Sequence, residues 1–164
     1  MDRNGFWEII DEAQRDGDDV YDVAECVVRL LRTLEPDEII NWGQHLSDVL
    51  GESYRWDLWA VAYIVNGGCG DDGFEYFRAF LIARGRRRFE AALADPQSIG
   101  DWIEPGENEC EELLAVAWDA YLAKTGEELP DDAIKLRAPS DPIGERWQED
   151  QLEQLYPQLC EKFF

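Results

Sequence analysis

The eight residues from Asn66 to Gly73, Asn-Gly-Gly-Cys-Gly-Asp-Asp-Gly, hold the densest reactive chemistry in the chain. Four glycines let backbone approach a ligand closely, and a helix starting here would offer its positive end to an anion. Asp71 and Asp72 already occupy that end, which disfavours phosphate. Their oxygens suit a hard cation instead, with Glu75 as a further donor. The spacing is not that of the calcium-binding loop, which needs alternating oxygen ligands and a distal glutamate. The plainer account is helix capping within a tight connector. Cys69 sits beside the same helix start, where a thiolate gains from the dipole, but two neighbouring aspartates raise its pKa. The only histidine is His45, so a Cys69–His45 nucleophile pair depends on the fold bringing the two together. No catalytic residue and no metal-ligand set follows from these spacings.

Downstream, Arg78, Arg84, Arg86, Arg87 and Arg88 put five cations into eleven residues with no acid between them. Such a cluster can grip a carboxylate or phosphate bidentately, or neutralise acidic faces of the protein itself, such as Glu107 to Glu112. Around a helix C-terminus it would also suit the dipole. Arg78, beside two aromatics, is assigned an internal role, buried and bonded to a carboxylate or carbonyl. At least two of the other four are expected to stay exposed. The candidate ligand-binding set is Cys69, Asp71, Asp72 and Arg78. Among the tryptophans, Trp56 and Trp59 belong with a core helix, and Trp7, Trp42 and Trp118 with amphipathic ones. Trp102 and Trp147, in polar context, suit anchoring a tail or marking a contact.

The elements that carry these residues are helical by period. Asn4 can cap a first helix bearing Phe6, Trp7 and Ile10, and Asp18 or Asp19 a second with Val20, Val23, Val27 and Leu31 at three- and four-residue steps. Pro36, followed by Asp37 and Glu38, opens a third helix that ends at Gly51. Ser53 can cap a fourth from Tyr54 to about Val65, closed by Asn66-Gly67-Gly68. That segment is apolar nearly all round, which marks it as the central buried element, with Trp59 and Ile64 deepest. Asp71 or Asp72 caps a fifth helix through Arg84, Gly85 breaks it, and a sixth runs from Arg86 to Ala94. A seventh spans Glu109 to Lys124. From Thr125 turn-formers dominate, giving a tail that wraps the domain or hangs loose, with a last helical turn or two before Pro157. No strand pattern stands out. The expected fold is all-α, one domain over residues 1–164 with six or seven helices and a turn-rich tail over 125–164.

Composition narrows the function classes. The 164 residues are 45% hydrophobic, enough to build a core despite a net charge of −22. Residues 95–164 carry 18 acids against 5 bases, so the C-terminal part is the more acidic. A surface this negative repels nucleic-acid phosphates and anionic lipid, which argues against both as general partners and leaves a basic protein partner open. Plain solubility is the common account of such a charge. The start lacks a basic segment followed by an apolar run, and the longest apolar stretch is far shorter than a membrane span, so the cytoplasm is the expected compartment. Cysteines 26, 69, 110 and 160 form no CxxC pair and read as small buried hydrophobes or, for Cys69, a loop thiol.

The chain resembles a bacterial family of unknown function, DUF4240. The resemblance rests on FWEIIDEA near the start, RWDLWAVAYIVNGGCGDDGFEYFRAFLIARGRRRFEAALADP in the centre and ECEELLAVAWDAYLAKTGEELP later. Trp-Asp-Leu-Trp, Gly-Gly-Cys, Asp-Asp-Gly-Phe and Phe-Arg at fixed distances are the specific part. The family pattern has serine after Gly-Gly-Cys where this chain has Gly70, which implies that Asp71 must cap the fifth helix alone. The resemblance implies no catalytic residue and no cofactor. The sequence thus points to an acidic, non-catalytic interaction or regulatory protein. The alternative is a small enzyme or ligand- or metal-binding protein using the loop around Cys69, Asp71 and Asp72.

Overall fold

Asp2 opens the first helix, accepting a hydrogen bond from the Gly5 amide at 2.9 Å, so the cap falls two residues before Asn4. The computed structural model describes residues 1–164, which fold into nine α-helices and two short 3-10 helices. α1 spans Arg3–Asp16 and α2 Val20–Leu31, the latter capped by Asp19, whose carboxylate takes the Tyr21 and Asp22 amides. α3 is Pro36–Glu52 with proline in its first turn, and α4 is Trp56–Val65. α5 is Asp71–Ala83, α6 Arg86–Ala94 and α7 Glu112–Thr125. The 3-10 helices are Pro96–Asp101 and Glu149–Gln151, and two short helices, α8 (Leu152–Leu155) and α9 (Pro157–Phe163), end the chain. There is no strand, only one isolated bridge between Arg55 and Ile143. The fold is all-α.

The central element is α5 rather than α4. It packs against α1, α2, α3, α4, α6 and α7, and its buried side chains run from Phe74 through Phe77 and Phe80 to Ile82. α4 divides its apolar surface instead. Leu58, Val61, Ile64 and Val65 enter the core, while Trp56, Trp59 and Tyr63 form a half-buried second face. Ile64 is fully buried as expected, but Trp59 is not. Trp118 also departs from its pattern, standing 42% exposed on α7.

The tail wraps the body. Lys135 exchanges hydrogen bonds with Gln44 on α3, at 2.8 and 2.9 Å. The Ile143 carbonyl accepts the first amide of α4, that of Trp56, at 3.0 Å, and the Ile143 amide donates to Tyr54 at 2.8 Å. These tail bonds do what Ser53 was expected to do. The Ser53 hydroxyl turns back and donates to the Val49 and Leu50 carbonyls, closing α3. Beyond the strap, Leu152, Leu159 and Cys160 join a continuous core of 38 buried residues. Pro157, before which the sequence placed the last helical turns, is itself the first residue of a further helix, α9.

No helix is long and apolar enough to cross a membrane.

Candidate functional site

α4 ends in the glycine turn because the backbone there goes left-handed: Gly67 and Gly68 have φ of 69° and 115°, positions a Cβ would strain. Three bonds pin the turn. The Gly68 amide donates to Tyr63 at 2.7 Å, the Asn66 side-chain oxygen accepts from the Asn108 amide at 3.2 Å, and the Trp59 indole donates to the Cys69 carbonyl at 2.8 Å. The loop is therefore held by α4 itself, through Tyr63 and Trp59, and by Asn108.

Neither aspartate caps α5. Its N-cap is Gly70, without a side-chain bond, and Asp71 and Asp72 occupy the first turn with both side chains exposed. They act on the helix through its dipole alone. No cluster of three or more potential metal-ligand side chains forms around them. Cys69 is half-buried, and burial pushes its thiol up to about 12, with Glu109 adding to the rise and Arg78 opposing it. Its sulfur is a neutral thiol at physiological pH. His45 is elsewhere, against Phe6 and 3.3 Å from the Met1 carbonyl, so no Cys69–His45 pair forms.

Arg78 is 6% exposed. It donates to the Leu50 carbonyl at 2.7 Å and to Phe74 at 3.3 Å, and its guanidinium lies 4.8 Å from each of the Tyr54 and Phe74 ring centres. Two of its nitrogens are thus bonded to carbonyls and its guanidinium lies on two rings, the internal role its sequence context suggested. Burial lowers its pKa against the raising effect of Glu75 and Tyr54.

From Arg78 a column of rings leads outward. Phe74 stacks on Trp59 at 4.8 Å and 13°, and Trp59 stacks on Trp56 at 5.2 Å and 8°. The guanidinium of Arg146, from the tail, lies 5.3 Å from the Trp56 ring centre. Trp147 meets Trp56 edge-on at 89° and Tyr63 at 62°, while its indole donates to the Trp56 carbonyl at 2.8 Å. The result is an aromatic cleft of about 230 Å³ between α4 and the tail, with Cys69 at one end and Glu149 at its rim. The Glu149 carboxylate raises the pKa of the Tyr63 phenol. A broader groove of about 690 Å³ adjoins it through Arg146 and Trp147 and runs past Arg55, Asp57 and Tyr156. Within that groove Arg55 forms a bidentate pair with Asp57 at 2.6 and 2.9 Å.

The sequence put Cys69 in a glycine-loop site with Asp71, Asp72 and Arg78 and gave Trp147 a tail-anchoring or contact role, whereas Trp56 and Trp59 read as belonging wholly to the core. The missed signal is the spacing of Trp56, Trp59 and Tyr63, which puts three large amphipathic rings on one helix face. The structure brings Cys69 and Arg78 into one neighbourhood and leaves Asp71 and Asp72 facing solvent. Arg86, Arg87 and Arg88 occupy the first turn of α6, not a helix C-terminus, and only Arg87 is fully exposed. The expectation that two would remain exposed is thereby corrected: Arg86 pairs with Glu90 and Asn4, and Arg88 lies over Trp102 at 4.7 Å.

Nothing among curated proteins or solved structures matches the chain. A family model described as a protein of unknown function (DUF4240) matches residues 1–123, which include the column from Tyr54 to Arg78 but not the tail residues Arg146, Trp147 and Glu149. With three quarters of its length matched, the chain belongs to the DUF4240 family.

Proposed function

We propose that this protein is a non-catalytic interaction module that binds a basic segment of a partner protein, with a lysine or arginine side chain entering the aromatic cleft. The observation that carries this reading is the position of Arg146, a guanidinium of the chain itself, against Trp56 at the cleft. Stacked indoles attract cations through their ring quadrupoles, by about 0.5–2 kcal/mol per contact. Glu145, Glu149 and Asp150 are exposed beside the cleft, and the net charge of −22 draws a basic partner in from a distance. Arg146 then acts as an internal occupant that an incoming cation displaces.

An oligo-arginine peptide, with oligo-glutamate as control, tests the reading by tryptophan fluorescence and calorimetry. Binding of the basic peptide alone is expected, weakening with salt. Arg146→Ala should tighten it and Trp56→Leu should weaken it by about tenfold, the worth of a good cation–π contact. No binding, or binding indifferent to both substitutions, overturns the proposal. The second reading, a ligand site at Cys69, Asp71, Asp72 and Arg78, has the nearness of Cys69 to Arg78 in its favour. It has less support, because Arg78 is buried with two nitrogens already bonded to carbonyls and both aspartates are exposed to solvent.

A further inference from the structure

Acids outnumber bases 37 to 15 in this chain, so a guanidinium drawn out of water should find a partner with ease. Most do. Among arginines that are not fully exposed, Arg3 binds Glu52, Arg55 binds Asp57 and the Leu93 carbonyl, Arg78 binds two carbonyls, and Arg86 binds Glu90 and Asn4. Arg84 and Arg88 are the exceptions. Both are half-buried, yet neither side chain makes an ion pair or a hydrogen bond, and the Arg84 Nε is buried with no acceptor. Both guanidiniums rest on Trp102, at 5.7 and 4.7 Å from its ring centre, and Trp102 in turn stacks on Phe80 at 6.3 Å. Together they line a small pocket of about 180 Å³, closed on the far side by Gly17, Asp18 and Asp19 ahead of α2.

We propose that Arg84 and Arg88 bind a small oxyanion, a phosphate or carboxylate group, in this pocket between the end of α5 and the start of α2. Both guanidiniums line the pocket, and the planar N–H fork of a guanidinium suits the paired oxygens of such a group. Trp102 holds both forks in place, so little side-chain freedom is lost on binding. Burial lowers the Arg84 pKa and repulsion from Arg88 adds to it; a bound anion relieves that repulsion. The facing acids limit what fits. Asp19 is occupied by the Tyr21 and Asp22 amides at 2.9 Å, and Asp18 stands exposed at the rim. A long polyanion would meet these carboxylates, whereas a single phosphate-sized group reaches the guanidiniums. The site shares no residue with the aromatic cleft and stands independently of the function proposed there.

Titration of the full chain with inorganic phosphate and, separately, with acetate at constant ionic strength tests the proposal. It is followed by the Arg84 Nε–Hε NMR cross-peak and by thermal melting. At least one anion should shift that cross-peak saturably and raise the melting temperature, and the two arms show whether phosphate or carboxylate is preferred. Arg88→Gln, which removes no hydrogen bond and should leave the fold intact, is expected to weaken binding by about tenfold or more. Arg84→Gln should abolish the response in the melting experiment. Absence of a saturable shift with both anions overturns the proposal, as does an Arg88→Gln protein that responds like the parent.

Discussion

Arg78 offers a sharp test of how a cation lives inside this acidic protein. Replacing it with methionine keeps much of the volume and removes the charge. The loss includes a charge-assisted bond to the Leu50 carbonyl at 2.7 Å, worth about 1.5–3 kcal/mol. It also includes two ring contacts at 4.8 Å, worth about 0.5–2 kcal/mol each. Two features reduce the cost. The Leu50 carbonyl keeps the Ser53 hydroxyl at 2.9 Å, so it is not orphaned, and removing a buried charge recovers several kcal/mol of desolvation. The expected net effect of Arg78→Met is a destabilisation of about 1–2 kcal/mol. Arg78→Ala adds a void between the Tyr54 and Phe74 rings and should cost about 2–4 kcal/mol. Urea unfolding of the parent and both variants, followed by tryptophan fluorescence, measures the difference. An Arg78→Met protein as stable as the parent would refute the reasoning, because desolvation would then outweigh the carbonyl and both rings.

Trp59→Phe keeps a ring in the stack but deletes the indole bond to Cys69, so about 1–2 kcal/mol of stability should go, with faster amide exchange in residues 66–70. For Cys69 the raised folded pKa of about 12 sets the sign: its contribution is whole below the unfolded thiol value near 9 and is lost as pH rises from there towards 12. Unfolding free energies across that window should fall less steeply in Cys69→Ala, and iodoacetamide should modify Cys69 more slowly than a cysteine in the urea-unfolded chain. Gly51→Ala would set a Cβ 2.8 Å from the Arg137 carbonyl oxygen, a backbone atom that cannot swing aside. A loss of about 1–3 kcal/mol and easier proteolysis of the strap near Arg137 are expected, the latter read by limited trypsin digestion.

Local rules placed most helices because their signals lie within a few residues. Asp19 caps α2, Pro36 opens α3 and Gly85, with φ of 93°, separates α5 from α6, each a decision made by adjacent chemistry. The failures have distant causes. Ser53 is a good N-cap residue by type, but the first amide of α4 is taken by Ile143, ninety residues away in the tail, which frees the serine to close α3 instead. Asp71 and Asp72 fit a cap equally well. The cap position simply falls one residue earlier, on Gly70, where the indole of Trp59 fixes the preceding carbonyl. Of the candidate site, the buried, carbonyl-bonded role of Arg78 was legible from its place beside two aromatics, and Cys69 was legible as a loop thiol. The ring cleft was not, because half of its lining, Arg146 to Glu149, comes from a segment whose sequence shows no period.

Why α4 is apolar on every side follows from these two covers. One face meets α5 and the core; the other must be dry enough to hold Trp56, Trp59 and Tyr63, yet the tail covers it only in part, through Trp147 and Arg146. A helix buried by regular packing would carry aliphatic residues on both faces, since they fill a core without needing polar partners. Here the tail-facing side carries indoles and a phenol instead, which tolerate half-burial and bind cations. Their N–H and O–H groups are placed accordingly: Trp59 bonds the glycine loop, Trp147 bonds α4 itself, and the Tyr63 hydroxyl is left beside Glu149 at the rim. Aromatic rather than aliphatic side chains on that one face are what the proposed cation-binding cleft requires and what a fully closed core would not.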